Sequence, residues 1–119
     1  MTKNILLLGL KRGLIDDITR QLAMPEIKLF DGTGLEDVRL TFAKAQIDHV
    51  FIGGGIDLQS RLDIVREIYR SSDRTTVHLE DQILGPEGYV PFVRSVLLGV
   101  KDYEFIASPN ARSEIPSRN

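Results

Sequence analysis

The chain has 119 residues, of which 42% are apolar and 27% charged, and it contains no cysteine. This length supports one domain, and the lack of cysteine excludes a disulfide scaffold, a thiolate zinc site and a cysteine nucleophile. The 15 basic and 17 acidic residues nearly balance, and no basic stripe indicates nucleic acid as a partner. No apolar run approaches the roughly 18 residues of a membrane span, and we expect no secretory signal. We therefore expect a cytoplasmic protein.

Apolar periodicity alternates between strand and helix along the chain. Residues 4–9 form a continuous apolar run that ends in a glycine, which is typical of a strand covered on both faces. From Gly13 onward, apolar residues recur every four positions, which indicates an amphipathic helix. The same alternation predicts strands at 27–30, 50–52, 75–79 and 103–107 and helices over 35–45, over 58–69, and from Tyr89 or Val90 to Val100.

Local signals refine two of these helices. Asp57 precedes the third helix and is a candidate N-cap. Pro91 must lie in the first turn of the last helix, because a proline in a helix interior removes a hydrogen bond and clashes with the preceding turn. We expect the third helix to be the longest and to carry an apolar stripe, flanked by Ile64 and Ile68, that is made of Leu58, Leu62, Val65 and Tyr69.

The first four predicted strands begin near residues 4, 27, 48 and 75, with one helix between each pair. This rhythm is what right-handed crossovers between parallel strands require. We predict a small three-layer, doubly wound α/β sandwich with a mostly parallel sheet of four or five strands, Rossmann-like or flavodoxin-like. The strand orders 3-2-1-4-5 and 2-1-3-4-5 both fit the pattern. We expect the domain to span residues 1–107 and residues 108–119 to form a flexible tail.

The loops that follow the strands carry the candidate binding residues, because ligands bind beyond the carboxyl ends of the strands in an open parallel sheet. The loop after the first strand holds two glycines, Gly9 and Gly13, and two cations, Lys11 and Arg12. Glycines let the backbone approach a ligand closely, and the amides that open the following helix favour an anion. This loop is either an anion site or a plain strand-to-helix turn.

Three consecutive glycines, Gly53, Gly54 and Gly55, follow the third strand. Such a run indicates backbone with positive φ or the close approach of another group. The run is either a tight turn beneath a neighbouring loop or a cradle of backbone amides for an anion or a flat ring, capped by Asp57. We expect the turns after the first three strands to meet on one rim of the sheet.

The first strand–helix–strand unit resembles the Rossmann-type dinucleotide-binding proteins. The resemblance rests on Gly9 and Gly13 and on Asp31, which lies 22 positions after Gly9; the third glycine of the family pattern is absent. It implies NAD(P) or another nucleotide as cofactor. Lys11 and Arg12 would then contact the phosphate, and Asp31 would accept from the ribose hydroxyls.

The length and the helix–strand rhythm also resemble the receiver domains of two-component response regulators. The positions of that family's acidic pair carry Gly9 and Leu10. The place of its phosphoacceptor is taken by Gly53 to Gly55, and the place of its hydroxyl residue by Glu80 and Asp81. The predicted fifth strand ends in no lysine. This resemblance therefore implies a receiver-like interaction module without phosphorylation chemistry.

A further polar group lies at the end of the fourth strand. His78 and Glu80 share one face of that strand and are a candidate acid–base pair or half of a metal site. No third ligand is apparent, because His49 lies at the amino-terminal end of its own strand. We expect His78 to pack beneath a helix, and Glu80 and Asp81 to be solvated.

Two functions are favoured, and an enzyme is the third alternative. The first is binding of a nucleotide or another small phosphate-bearing ligand without catalysis. The second is the interaction module. Large side chains on the last helix and strand predict a homodimer surface formed by Tyr89, Phe92, Val96 and Tyr103. We expect no catalytic residue and no metal site, because the sequence contains no nucleophile–base pair and no cluster of metal ligands.

Overall fold

The protein folds around one parallel sheet with helices on both faces. The computed structural model describes residues 2–11 and 15–106, and the side chains of residues 2–11 and 16–100. The strands are β1 (Lys3–Leu8), β2 (Ile27–Gly32), β3 (His49–Ile52) and β4 (Thr76–Leu79), and the helices are α1 (Ile15–Leu22), α2 (Leu35–Lys44), α3 (Leu58–Ser71) and α4 (Tyr89–Ile106). Two short 3₁₀ turns, Gln82–Leu84 and Pro86–Gly88, connect β4 to α4. The predicted doubly wound α/β sandwich is confirmed.

The four strands of the described sheet lie in the order β2-β1-β3-β4, and every pair is parallel. This is the flavodoxin-like order without its fifth strand, and it decides between the two orders that the sequence left open. The crossovers through α1 and α2 pack on opposite faces of the sheet. The chain therefore reverses its winding direction between β1 and β3, the strands at the centre.

Successive side chains of β1 point to opposite faces, so the strand contributes to two separate cores. Ile5 and Leu7 pack with α1 and α4, whereas Leu6 and Leu8 pack with α2 and α3. All four side chains are buried. Burial on both faces explains why the sequence of this strand is an unbroken apolar run.

The predicted fifth strand at 103–107 is wrong within the described residues, because α4 continues to Ile106. Residue 107 lies outside the described residues. No glycine or proline separates Val100 from Tyr103, so nothing in the sequence stops the helix. A short apolar run cannot be assigned to strand or helix by composition alone. This extension makes α4, with 18 residues, longer than α3, with 14, so the prediction that the third helix is the longest is also wrong.

The core-facing side of α3 differs from the predicted stripe. Its buried residues are Arg61, Ile64 and Ile68. Of the residues predicted to face the core, Leu58, Leu62 and Tyr69 are exposed, and Val65 is partly buried against the core. The helix carries apolar residues over a wide arc, and the sheet covers the side occupied by the two isoleucines.

Three of the residues assigned to a homodimer surface are partly buried against the core of the domain. Tyr89, Phe92 and Val96 lie against the core that α1 and α4 share with the sheet. The ring of Phe92 meets that of Phe51 edge to face, with 5.8 Å between centroids. The side chain of Tyr103 and the predicted tail of residues 108–119 lie outside the described residues. The homodimer therefore stays a prediction, and these three residues serve the core.

Both predicted local signals are confirmed. The Asp57 carboxylate accepts hydrogen bonds from the amide and the hydroxyl of Ser60, at 3.0 and 2.6 Å, as an N-cap does. Helix α4 begins at Tyr89, which places Pro91 in its first turn. None of the helices in the described part of the chain combines the length and the apolar character needed to span a bilayer.

The two candidate faces of α3 predict different mutational costs. Replacement of Ile64, which is 1% exposed, by alanine should lower the free energy of unfolding by about 2–5 kcal/mol, because it leaves a cavity in the core. The matched variant Leu62→Ala removes a side chain that is 46% exposed and should cost less than about 1 kcal/mol. Urea denaturation measures both values. Equal losses in the two variants would contradict the assigned face.

Candidate functional site

A cavity of about 350 Å³ opens at the carboxyl-end edge of the sheet. It lies where the winding direction reverses between β1 and β3, which is the usual ligand position in open α/β sheets. Residues from the ends of all four strands and from α1, α4 and the turn before α4 line it. They are Leu7, Gly9, Leu10, Lys11, Ile18, Asp31, Gly53, Gly55, Glu80, Gly85, Pro86 and Tyr89.

The turns after the first three strands meet at this cavity, as expected. Five of the predicted site residues line it, namely Gly9, Lys11, Asp31, Gly53 and Gly55. Gly54 lies behind the cavity wall and is buried. Arg12 and Gly13 lie outside the described residues. The cavity thus unites most of the described candidates from three separate loops.

Asp57 does not lie at this cavity. It lines a neighbouring hollow with Leu10, Gly55 and Ser60, and its carboxylate is occupied in capping α3. The hydrogen bonds from the Ser60 side chain and amide lower the pKa of Asp57 below its usual range. Its observed role is therefore structural, and the expected cap over a bound ligand is not seen in this arrangement.

The glycine triplet is a close-approach turn. A Cβ at Gly54 would lie 2.6 Å from the carbonyl oxygen of Asp81 and 2.9 Å from the Cα of Gln82. Positive φ is confined, among the described glycines, to Gly85. Two of the three amides are already used, because the Gly53 amide donates to the Leu8 carbonyl at 2.8 Å and the Gly54 amide donates to Glu80. The tight-turn alternative therefore describes this segment.

Glu80 is buried, contrary to the expectation that it is solvated. Its amide donates to the Ile52 carbonyl at 2.9 Å, which continues the ladder between β3 and β4 by one residue. Its side chain is 2% exposed, and Oε1 accepts the Gly54 amide proton at 2.8 Å. The other oxygen, Oε2, has no hydrogen-bond partner. The neighbouring Asp81 is exposed, as expected, and caps the first 3₁₀ turn by accepting from the Ile83 amide.

Arg61 reaches Glu80 from α3. The Arg61 side chain is buried, and its Nη1 donates to the main-chain carbonyl of Glu80 at 2.9 Å. No ion pair joins the guanidinium to the Glu80 carboxylate. The buried cation still lies near the buried anion, which offsets part of the cost of burying a carboxylate.

Tyr89 closes the cavity from the α4 side. Its hydroxyl donates toward the carbonyl oxygens of Leu8 and Phe51, at 3.2 and 3.0 Å, and so spans the ends of β1 and β3. Burial, followed by the negative charge of Glu80, raises the pKa of this hydroxyl above its usual value. Tyr89 is therefore neutral at physiological pH and anchors α4 to the sheet.

The cavity has mostly apolar walls and a small set of charges. Leu7, Leu10, Ile18 and Pro86 supply the walls, and Lys11 is the cation among the described lining residues. Asp31 and Glu80 are the acidic residues among the described lining residues. Sequence reasoning missed the apolar walls, Tyr89 and the burial of Glu80. One sequence signal could have indicated that Glu80 lines the cavity. Glu80 directly follows the fourth strand, which ends at this edge of the sheet.

His78 and His49 form a pair below the site. His49 Nδ1 and His78 Nε2 lie 3.1 Å apart, so that one nitrogen carries the proton that the other accepts. The parallel register places His78 beside Phe51, with ring centroids 4.7 Å apart. Sequence reasoning treated the two histidines as separate, because it had no register between β3 and β4. Burial, followed by the charge of His49, lowers the pKa of His78 to about 4.

Within the described residues, no three histidine, aspartate or glutamate side chains are grouped to hold a metal ion. Comparison of the chain with family models, curated proteins and solved structures finds no match.

The packing around Gly54 makes this position intolerant of a side chain. Gly54→Ala should destabilise the protein by about 1–3 kcal/mol, because the new methyl group would meet main-chain atoms that cannot rotate away. The control Gly99→Ala adds a methyl group in open space on α4 and should leave stability unchanged or raise it by up to about 1 kcal/mol. Denaturant melts of both variants check this. A neutral Gly54→Ala variant would contradict the close approach.

The depressed pKa of His78 predicts acid sensitivity. The native state takes up this proton only near pH 4, whereas the unfolded chain takes it up near pH 6.5. Stability is therefore complete above about pH 6.5 and is lost as the pH falls toward 4. Because His78 is half-buried, we expect a loss of only about 1 kcal/mol between pH 7 and 5. In urea melts at both pH values, His78→Gln should reduce this loss; an unchanged loss would refute the assignment.

Proposed function

We propose that the protein binds a nucleotide, or a related small phosphate-bearing ligand, at the carboxyl-end cavity without transforming it. The observation that carries the proposal is the convergence of Lys11, Asp31 and the glycine turns of three loops on one largely apolar cavity. Such cavities with a few polar groups are the usual form of small-molecule sites.

The residues around the cavity offer a contact for each part of a nucleotide. The aliphatic side chains of Leu7, Leu10 and Ile18 offer a surface for the base. Asp31, at the end of β2, would accept from ribose hydroxyls, as the resemblance of the first unit to dinucleotide-binding proteins implies. Lys11 is exposed at the rim, where its ammonium group can attract a phosphate without being desolvated.

The size of the cavity favours a mononucleotide. Ligand sites typically enclose about 300–1,000 Å³, and about 350 Å³ is at the lower end of that range. A dinucleotide such as NAD(P) would extend beyond it. The glycine turn after β3 uses two of its amides internally, so the proposed phosphate contact depends on Lys11 and on the loop that follows β1.

The second candidate function is a receiver-like interaction module. Three apolar side chains at this end of the molecule favour it, because Leu79, Ile83 and Leu84 are 45%, 90% and 53% exposed. Exposed apolar side chains are typical of a partner-binding surface where they form a contiguous patch. A module of this type needs no small ligand, so the screen below distinguishes the two functions.

A thermal-shift screen with AMP, GMP, ATP, FMN, NAD and NADP tests the first proposal. We expect a mononucleotide to raise the melting temperature, and calorimetry should show that Lys11→Ala weakens its binding about fivefold, the equivalent of about 1 kcal/mol for an exposed charge-assisted contact. The matched variant Lys44→Ala, which changes an exposed lysine at the end of α2, should bind like the wild type. A flat response to all six ligands would contradict the proposal and favour the interaction module.

A further inference from the structure

Glu80 has one carboxylate oxygen that the protein leaves without a hydrogen bond. Oε1 is paired with the Gly54 amide, whereas Oε2 has neither a hydrogen-bond partner nor contact with solvent. A buried polar atom without a partner costs on the order of 1–3 kcal/mol, and more when it carries charge. Folded proteins satisfy nearly all such atoms, and an exception at a cavity points to a group supplied from outside.

Two neighbouring side chains direct their hydrogen bonds to main-chain carbonyls. Arg61 directs Nη1 to the main-chain carbonyl of Glu80 rather than to its carboxylate, and its buried Nε, like Oε2, has no hydrogen-bond partner. The Tyr89 hydroxyl is directed at the carbonyls of Leu8 and Phe51. Because Glu80 lines the cavity, a ligand bound there lies next to this side chain.

We infer that Oε2 of Glu80 accepts an N–H group of the bound ligand, and that this contact selects purine nucleotides whose six-membered ring carries an N–H donor. The inference rests on the proposed nucleotide function. Guanine and hypoxanthine present a ring N–H, and adenine presents an exocyclic amine. The apolar walls exclude competing water, so an N–H bond to a carboxylate is charge-assisted and strong here.

One of the two turns before α4 covers Oε2. A Cβ at Gly88 would lie 3.3 Å from Oε2, so the second 3₁₀ turn lies against this oxygen and must shift to admit the base. In the preceding 3₁₀ turn, Ile83 and Leu84 are exposed. Gly85, with φ of +66°, supplies a backbone conformation that other residues rarely adopt.

Binding of four purine 5′-monophosphates that differ only in the base tests the inference. GMP, IMP and AMP carry an N–H donor on the six-membered ring, whereas purine riboside 5′-monophosphate carries none. Titration calorimetry on the wild type should show that purine riboside monophosphate binds at least tenfold more weakly than the tightest of the other three. A site built to pair with a donor leaves a buried acceptor unpaired when the donor is missing.

Glu80→Gln supplies the protein-side test. The glutamine oxygen can still accept the Gly54 amide proton, while its NH₂ group replaces Oε2 with a donor. The preference against purine riboside monophosphate should then fall at least tenfold. Glu87→Gln makes the same chemical change at an exposed position of the same segment and should keep the wild-type preference.

The outcomes separate the inference about Glu80 from the proposed nucleotide function. If the wild type binds purine riboside monophosphate within twofold of the others, or if a folded Glu80→Gln variant keeps the wild-type order, the inference about Glu80 is wrong and the proposed function stands. If none of the four binds the wild type at millimolar concentration, the inference fails, and the six-ligand screen decides the proposed function separately. Should Glu80→Gln not fold, the comparison of the four ligands on the wild type decides the inference alone.

Discussion

The hydrogen bond between the Gly54 amide and the buried Glu80 carboxylate holds the carboxyl-end edge of the sheet together. It draws the turn after β3 against the segment after β4, so closely that position 54 has no space for a Cβ. Arg61 fixes the same glutamate to α3 through its main-chain carbonyl. The position of the cavity wall, the need for glycine and the burial of a charge are therefore consequences of one contact.

The two ends of the sheet are built differently. At the amino-terminal end, side chains bond to neighbouring backbone: the Asp48 carboxylate accepts from the Asn4 amide at 2.8 Å, and the Thr75 hydroxyl donates to the Ile47 carbonyl at 2.7 Å. At the carboxyl end, β1 and β3 are each followed directly by glycine. Small residues leave space between the loops, and Tyr89 spans the two strand ends beneath that space.

Local patterns were enough to predict the strands that form the sheet, the Asp57 cap and the place of Pro91, because each depends on neighbours in sequence. The core-facing side of α3 was not predictable in this way, since its apolar residues cover more than one face and only the sheet selects Ile64 and Ile68. The burial of Glu80 was missed for a related reason. Its partner is a backbone amide 26 residues away, and no sequence pattern marks that contact.

The central claim is that the carboxyl-end cavity is the ligand site of this domain. An amide ¹⁵N–¹H NMR titration with GMP tests it most directly, because each amide reports its own surroundings. The account predicts that the largest shifts cluster on Gly9, Lys11, Gly53, Gly55 and Glu80 and leave the amino-terminal edge around Asp48 and Arg74 unchanged. Shifts centred on that opposite edge would contradict it.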